Sequence, residues 1–416
     1  MTGLLAFVES PVQLLNVLEW AHAQSAAADP SGPGLPGVPG RPGSALPHHA
    51  TAPPPCAPPG AGSLGPAGAP SVVPTRSAPA ERTPTPGGAE VPAAALTIVV
   101  LSPNDPMSRG QLRRMAQLAR DDGFSVRWQE ARDGRGSLPR TLRDLAPLLR
   151  AAERVIVGDP FSRYVQLLLT LFAPKHLTVV DDGTATMEYA AQLARGERLV
   201  RWHRRGSGGP RELVLAPVSA AARRKLAPTR RRTVEIFTSL PVDPPPGTVV
   251  TANTFAWTRA RFGPPRLTRG ADLVGTSLVE TGVVDPDRYA RAVADLAGDH
   301  GATRYFAHRR ESTEKLHRIA VETGLEIVRP DLPLELIARR GPIGRTVVSF
   351  PSTVVHTLPL ALAGTGVKVA VCEIAPEWLR ENASPRAQGF LAGVAGTAAF
   401  EVDRLTTSSS QRLEFG

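Results

Sequence analysis

The stretch LTVVDDGTATMEYAAQLA, residues 177–194, joins a short apolar run to a helical pattern through two aspartates and a glycine. The apolar run at 177–180 predicts a buried strand, and a helix is expected from about Ala185. Similar units lie on both sides of this stretch, and short apolar strands that alternate with helices are typical of a parallel, doubly wound sheet. The stretch therefore predicts an α/β fold.

The alternation extends along most of the chain and predicts two Rossmann-like domains that face each other across a cleft. The strands expected in the first domain are residues 4–8, 96–101, 125–128, 155–158 and 177–180. Those expected in the second are residues 233–238, 248–251, 273–275, 304–307, 326–328, 346–350 and 367–372. We therefore assign residues 1–24 and 94–232 to the first domain, 233–405 to the second, and 406–416 to a flexible tail.

Residues 25–93 have a different composition from the rest of the chain. They are mostly Pro, Gly, Ala and Ser, and 18 of the 42 prolines lie among them. A segment with so little apolar bulk cannot offset the ~1–2 kcal/mol per residue that ordering its backbone costs. We predict a disordered insertion in the first helix-to-strand connection, where extra length costs little.

Composition excludes several classes of protein. Cys56 and Cys372 lie far apart, so the sequence has neither a disulfide framework nor a CxxC module. The opening MTGLLAFVESPVQLLNVLEW lacks a basic n-region and is interrupted by polar residues, which is unlike a signal peptide. We therefore expect a cytoplasmic protein, at most peripheral to the inner face of a membrane.

The formal net charge is +10, and arginine supplies nearly all of the positive charge. Residues 195–232 alone carry twelve basic and two acidic side chains. Such a stretch could grip a polyanionic glycan or anionic lipid headgroups. It could equally be a solvated arginine-rich surface. Nucleic acid is disfavoured, because no aromatic residues are interleaved and no binding motif is recognised.

Ligands of parallel sheets bind beyond the carboxyl ends of the strands, so the residues that follow each strand matter most. Asp181-Asp182-Gly183 is the first such motif. Adjacent carboxylates repel each other, which raises the proton affinity of one and makes it a candidate base. The alternative is that Asp182 only caps the next helix.

His308-Arg309-Arg310-Glu311 is the second motif, after the strand predicted at 304–307. A histidine flanked by arginines could hold a phosphate and donate a proton to a leaving group. The alternative is a solvated surface histidine.

The third motif is Ser349-Phe350-Pro351-Ser352-Thr353. Ser352 is expected to cap the following helix, whose first amide groups and two hydroxyls would bind an anion. Simple capping is again the alternative. Pro359 predicts a kink or an early end of that helix.

Two further candidate binding residues, with weaker support from the sequence, lie in the second domain. Gly275 and Glu335 occur where nucleotide contacts would fall, and Glu335 could hold ribose hydroxyls, although a surface or capping role is the alternative. Asp285-Pro286-Asp287 has the form of a metal-binding DxD, but it directly precedes a helical pattern and is interpreted as a cap. The sequence has no P-loop, and no GxGxxG follows a predicted strand and opens a helix.

In their order along the chain, the three motifs resemble those of bacterial GT-B sialyltransferases, including capsule polysialyltransferases. That family has an acidic-acidic-Gly motif, a His-Pro motif and a Ser-Ser or Ser-Thr motif, matched here by Asp181-Asp182-Gly183, His308-Arg309 and Ser352-Thr353. Glu9-Ser10-Pro11 also resembles the first strand-to-helix turn of the superfamily. Arg309 replaces the family's proline, which leaves the role of His308 open.

The resemblance implies inverting transfer of a nonulosonic acid such as sialic acid from a CMP-sugar donor to a glycan or polyanionic polysaccharide acceptor, with no metal or other cofactor. One carboxylate of the aspartate pair, with a slight preference for Asp181, would be the base. His308, Arg309, Ser352 and Thr353 would bind the phosphate of the donor, and Gly275 and Glu335 its nucleoside. Glu9, Ser10 and Gly183 would contact the acceptor.

Two alternatives remain open. The protein could be a GT-B transferase or epimerase that uses a UDP- or GDP-sugar. It could also be a non-catalytic glycan- or polyanion-binding protein of the same fold.

Overall fold

The first strand, β1 (Gly3–Val8), shows how the sequence builds a sheet that is covered on both faces. The computed structural model describes residues 3–28, 96–132, 134, 137–201, 210–380, 391, 393 and 402–405. Leu5 and Phe7 pack into one apolar core layer, whereas Ala6 and Val8 pack into another. Since successive side chains of a strand point to opposite faces, an unbroken apolar run suits a strand between two layers of helices.

Seven strands form the first sheet. Its domain contains β1, α1 (Pro11–Ala28), β2 (Leu96–Leu101), α2 (Pro106–Asp121), β3 (Ser125–Gln129), α3 (Ser137–Ala151), β4 (Ala152–Val157), α4 (Arg163–Leu171), β5 (His176–Val180), α5 (Thr184–Ala194), α6 (Pro210–Leu226), β6 (Thr233–Thr238) and β7 (Thr248–Ala252). The strand order is β3-β2-β1-β4-β5-β6-β7, and all neighbours run parallel. This is a doubly wound Rossmann-like sheet.

Our domain boundary at residue 233 is wrong, because β6 and β7 belong to the first sheet. β6 pairs with β5, with Leu177 opposite Val234, and the side chains of both residues lie in one core layer. A strand that extends an existing sheet has the same apolar pattern as one that begins a new sheet, so the pattern could not locate the boundary. The helix α6, which precedes β6, was not predicted either, because its sequence was interpreted only as an arginine-rich stretch.

The first helix, α1, continues to Ala28, beyond the predicted end at residue 24. The remainder of the predicted insertion, from residue 29 to residue 93, lies outside the described residues. So does the predicted tail at 406–416.

Six strands form the second sheet. Its domain contains β8 (Leu267–Val274), α8 (Pro286–His300), β9 (Arg304–Phe306), α9 (Thr313–Thr323), β10 (Glu326–Val328), α10 (Leu334–Arg340), β11 (Ile343–Ser349), α11 (Val354–Ala361), β12 (Lys368–Cys372) and β13 (Val402–Leu405). The order β10-β9-β8-β11-β12-β13 is again entirely parallel. α11 ends two residues after Pro359, as expected from a proline inside a helix.

The connection between the domains contains the short helix α7 (Ala256–Arg261), which contacts both domains. The carboxylate of Glu19 in α1 accepts hydrogen bonds from the amides of Trp257 and Thr258 at 2.8 and 2.9 Å. On the other side, the guanidinium of Arg259 donates to the carbonyl of Leu360 in α11 at 2.9 Å. These contacts set the position of the second sheet relative to the first.

The architecture is therefore that of the GT-B fold, as the sequence predicts: two parallel α/β sheets that face one cleft. No helix in the described part of the chain is long and apolar enough to cross a membrane.

Candidate active site

The carboxyl ends of both sheets open onto one cavity of about 400 Å³ between the domains. The predicted site residues that line it are Ser10, Asp181, Asp182, Gly183, Gly275, His308, Arg309, Glu335, Ser352 and Thr353. Residues that follow β1 and β5 form one wall of the cavity, which we call the first wall. Residues that follow β8, β9 and β11 form the opposite one, the second wall.

Gly183 marks a place where the two walls come close together. Its backbone has φ 64° and ψ −134°, a conformation that favours glycine. A Cβ atom added there would lie 3.4 Å from the hydroxyl of Thr353 in the other domain. A side chain at this position would therefore contact the second wall, and glycine leaves this space open.

Asp181 turns its carboxylate toward the end of β6. Oδ1 accepts a hydrogen bond from the Thr238 hydroxyl at 2.5 Å, and Oδ2 accepts from the amide of Ser239 at 2.8 Å. The side chain is only 3% exposed. Burial raises the pKa of Asp181 to about 6, although the hydrogen bonds from Thr238 and Ser239 lower it. Both carboxylate oxygens of Asp181 thus accept hydrogen bonds from residues of the first domain.

Asp182 has different partners from its neighbour. Ser10 donates to its Oδ1 at 3.3 Å, and Arg201 donates to its Oδ2 at 3.2 Å. Burial and the charge of Asp159 raise its pKa, while Arg201 lowers it. Asp182 does not cap α5, because the cap position is Gly183 and no side chain bonds the first amides of that helix.

Sequence reasoning missed Arg201 and Asp159. Arg201 lines the cavity and donates to Asp159 at 2.8 Å as well as to Asp182. Asp159 follows β4, so the rule that strand ends matter could have found it. Arg201 lies in the irregular segment after α5, which carries no pattern that points to the cleft.

Glu9 is the predicted site residue that the structure does not bring into the cavity. Its carboxylate accepts hydrogen bonds from Arg132 and Ser162, within the first domain. Ser10 does line the cavity, and its hydroxyl also accepts from the amide of Gln13 at 3.2 Å, which caps α1. The turn after β1 therefore supports Asp182 through Ser10.

The second wall contains a tightly closed loop around His308. The amide of His308 donates to the Glu311 carboxylate at 2.6 Å, and the amide of Arg310 donates to His308 Nδ1 at 3.2 Å. Glu311 also accepts from Tyr305 at 2.6 Å and pairs with Lys315 at 2.8 Å. With Nδ1 as an acceptor, the neutral ring carries its proton on Nε2.

Burial, together with the positive charges of Arg309, Arg310 and Lys315, lowers the pKa of His308 to about 4. The imidazole is therefore neutral at pH 7. It can donate a hydrogen bond from Nε2, and an anion bound beside it would raise its proton affinity. Arg309, next in sequence, is attracted by the charges of Asp182 and Asp105 across the cleft.

Ser352 is not the cap of α11, contrary to our expectation. The cap position is Thr353, and no described side chain bonds the first amides of the helix. The helix begins at Val354, one residue later than expected, and a turn in which the carbonyl of Ser352 accepts from the amide of Val355 at 3.2 Å precedes it. The hydroxyls of Ser352 and Thr353 thus lie beside a helix N-terminus, which favours negative charge.

Gly275 and Glu335 complete the second wall. A Cβ atom on Gly275 would collide with the side chains of Glu311 and Tyr305, so glycine is required there. Glu335 is 6% exposed and accepts from the Thr357 hydroxyl at 2.6 Å. Burial raises its pKa, and the hydrogen bond from Thr357 lowers it.

The other candidates lie outside the cleft. Asp285 is the cap of α8, with its carboxylate accepting from the amides of Asp287 and Arg288 at 3.0 Å, as the sequence predicts. In the described residues, no group of three or more His, Cys, Asp or Glu side chains could hold a metal ion. Among the residues of the 195–232 stretch whose side chains the structure describes, the exposed arginines are Arg195, Arg198, Arg224, Arg230 and Arg231.

The structure is similar to an α/β-galactoside α-2,3-sialyltransferase from the luminous marine bacterium Photobacterium phosphoreum, with a TM-score of 0.41 and 9% identity over 74% of this chain and 90% of that chain. It is also similar to the GT-B domain of a sialyltransferase from Photobacterium damselae, with a TM-score of 0.39 and 10% identity over 97% and 100% of the two chains. MurG from Acinetobacter baumannii gives a TM-score of 0.33 and 11% identity over 77% and 82%.

No protein-family model matches the chain, and no curated protein matches its sequence. Likenesses to solved structures at these identities assign no activity, so the function is argued from the residues of the cleft.

Proposed function

We propose that the protein is an inverting glycosyltransferase that moves a sialic acid or a related nonulosonic acid from a CMP-sugar donor to a hydroxyl of a glycan acceptor. One observation carries this proposal. A carboxylate pair on the first wall faces an imidazole, two hydroxyls and a helix N-terminus on the second wall, within a single cavity. Proton removal and anion stabilisation are the two tasks of glycosyl transfer to a hydroxyl.

On the first wall, we assign the base to Asp182, in place of the slight preference for Asp181. The Asp181 carboxylate is held by Thr238 and Ser239, and this residue is only 3% exposed. The Asp182 side chain is 14% exposed and is held at the cavity wall by Ser10, Gln13 and Arg201. A raised pKa also makes Asp182 a better proton acceptor than an ordinary aspartate. Gly183 leaves room for the acceptor beside it.

The step balances as a single displacement. The O–H bond of the acceptor breaks and its proton passes to the Asp182 carboxylate, while the acceptor oxygen forms a bond to the anomeric carbon. On the opposite side, the bond from that carbon to the phosphate oxygen breaks, and its electron pair leaves with CMP. Attack opposite the leaving group inverts the configuration.

On the second wall, the departing CMP becomes a phosphate monoester with one additional negative charge. We assign the stabilisation of that charge to the Nε2–H group of His308, the hydroxyls of Ser352 and Thr353, and the first amides of α11. Arg309 supplies positive charge in place of the rigid turn of a proline. Gly275 and Glu335 are assigned to the nucleoside, with the Glu335 carboxylate on the ribose hydroxyls.

Calorimetric titration of the purified protein with CMP, and with UMP, UDP and GDP in parallel, tests the donor class. We expect selective binding of CMP that weakens in H308A and S352A. R318Q is the matched control, because Arg318 lies on the exposed face of α9 and pairs with Asp287 and Glu322, away from the cleft. CMP-sugars are then tested for transfer to glycan acceptors.

Two outcomes would contradict the proposal in different ways. A preference for UDP or GDP would retain the GT-B transferase but change the donor class. The absence of any nucleotide binding would favour a non-catalytic glycan- or polyanion-binding protein.

A further inference from the structure

One guanidinium on the first wall serves two carboxylates. Arg201 donates to Oδ2 of Asp159 at 2.8 Å and to Oδ2 of Asp182 at 3.2 Å. The exposed fractions of the three side chains are 29% for Arg201, 10% for Asp159 and 14% for Asp182, so water screens the charges weakly. We call these three residues the Arg201 cluster.

The two carboxylates of the cluster are held differently. Asp159 is fixed by its local backbone, because its Oδ1 accepts from the amide of Phe161 at 2.9 Å. The ring of Phe161 in turn lies against the guanidinium of Arg201, 5.8 Å from its centroid. The Asp182 carboxylate is held from other segments of the first domain, by the neutral side chains of Ser10 and Gln13 and by the charged guanidinium of Arg201.

We propose that Arg201 is a positioning residue shared by Asp159 and Asp182: Asp159 fixes the guanidinium, and the guanidinium holds the Asp182 carboxylate at the cleft while that carboxylate gains and loses the proton of the acceptor. The inference rests on the proposed function for the origin of the proton. The claim that one guanidinium is shared by two carboxylates depends only on the contacts within the Arg201 cluster.

The net charge of the Arg201 cluster explains how it could assist proton transfer. With Asp182 ionised, two carboxylates surround one guanidinium, and the cluster carries one negative charge. When Asp182 accepts a proton, Arg201 and Asp159 remain as a neutral ion pair. A partly buried guanidinium is therefore never left without an anionic partner during the reaction, which would be costly.

The other groups around Asp182 do not provide the counter-charge that Arg201 and Asp159 provide. Asp181 adjoins it in sequence, and Arg309 acts on it from the second wall, while its remaining contacts, such as Ser10, are neutral. Asp159 raises the pKa of Asp182 and Arg201 lowers it, in addition to the effect of burial. Loss of Arg201 or loss of Asp159 should therefore move the titration of Asp182 in opposite directions.

The test uses R201Q and D159N in the full-length protein, with the pH profile of kcat/KM as the readout. We expect the acid limb to shift up by about 1 pH unit in R201Q and down by a similar amount in D159N. Asparagine at 159 retains the oxygen that accepts from Phe161, so the local turn is preserved. R201K should keep the limb near its wild-type pH and lower kcat, because lysine keeps the charge without the planar fork.

R318Q serves as the matched control, since Arg318 also pairs with two carboxylates but lies on the surface. Its pH profile should equal that of the wild type. Shifts in the same direction in R201Q and D159N, or no shift in either, would overturn the proposal. Thermal melting of each variant identifies a loss of activity that comes from unfolding.

A second readout separates this inference from the proposed function. The carboxyl carbon of Asp182 can be titrated by ¹³C NMR and assigned by comparison with D182N. Opposite shifts of this titration in R201Q and D159N would support the shared guanidinium even if no transfer is detected. If transfer occurs but the Asp182 titration is identical in both variants, the inference fails while the glycosyltransferase stands.

Discussion

At the end of β5 the chain turns into α5 through Asp181, Asp182 and Gly183, and at the end of β11 it turns into α11 through residues 350–353. Both helices begin without a hydrogen bond from a capping side chain. The first turn nevertheless brings its own negative charge, whereas the second offers only hydroxyls and amides. Two strand-to-helix turns at the edge of one cavity thus present different chemical groups to it.

The difference shows what each wall is able to bind. A helix N-terminus attracts negative charge. At α5 the chain supplies that charge itself through Asp182, and the guanidinium of Arg201 offsets part of it. The first turn of α11 contains no acidic residue, so an external anion could bind there as proposed. Variants that remove these groups test whether the first wall accepts the proton and the second wall binds the phosphate, as proposed.

The largest effect is expected from D182N. The variant should lose about 10²- to 10⁴-fold in kcat, because the amide cannot accept the proton of the acceptor. CMP should bind D182N as tightly as it binds the wild type, since the phosphate contacts lie on the second wall. Steady-state transfer assays and calorimetry with CMP measure the two quantities on one preparation.

D181N is the partner variant for this experiment. It should lower kcat less than D182N does, because Asp181 is already bonded to Thr238 and Ser239. If D181N abolishes transfer while D182N keeps most of it, the base is Asp181. A loss of CMP binding in D182N would mean that the two walls are not independent.

The next largest effect is expected from H308Q, at about 10²-fold in kcat. The pKa of His308 is lowered to about 4, so the free protein carries a neutral imidazole at pH 6. A bound phosphate should raise this pKa, and CMP binding should then take up protons. Calorimetry in buffers of different ionisation enthalpy measures the uptake.

Uptake by the wild type must exceed that of H308Q at pH 6, because the phosphate of CMP titrates in both experiments and cancels in the difference. Equal uptake would show that His308 does not meet the phosphate. E311Q is an informative companion, since the Glu311 carboxylate holds the His308 loop closed through its backbone.

The strand-end rule explains how much of this site could be predicted from the sequence. β2 and β10 have the bounds predicted for them, and the motifs after β5, β9 and β11 meet in one cavity as expected. The pattern of apolar residues was sufficient there because each strand is a short apolar run and polar residues occur within a few positions of its end.

Two features of the site could not be obtained in this way. The different orientations of Asp181 and Asp182 depend on the backbone turn at Gly183 and on Thr238 at the end of β6, which is 57 residues from Asp181 in sequence. Arg201 reaches Asp159 across 42 residues from a segment without periodicity. Contacts between distant segments leave no local pattern.

A smaller effect is expected from the double variant S352A and T353A. Removing two hydroxyls from the anion site should weaken CMP binding about 10-fold, because hydrogen bonds to a charged group are among the stronger ones. Cytidine, which lacks the phosphate, should bind the variant and the wild type equally. Equal weakening of CMP and cytidine would place these residues at the nucleoside instead.

The smallest effect is expected in the pH dependence of the free energy of unfolding, measured without ligand for a variant of each wall. The pKa of Asp182 is raised above its ordinary value of 3.8 by burial and by Asp159. The folded protein therefore binds the Asp182 proton more tightly than the unfolded chain does. The stability that this proton contributes is fully present below pH 3.8 and is lost as the pH rises through the raised pKa.

Asparagine at 182 does not titrate, so D182N should lose less stability than the wild type between pH 4 and pH 7. The difference should be about 1–2 kcal/mol in the free energy of unfolding, since one pKa unit corresponds to about 1.4 kcal/mol. Urea denaturation of both proteins across this range measures it. S352A, which removes no titratable group, should follow the wild-type curve, and a D182N curve parallel to the wild type would mean that Asp182 titrates normally in the folded protein.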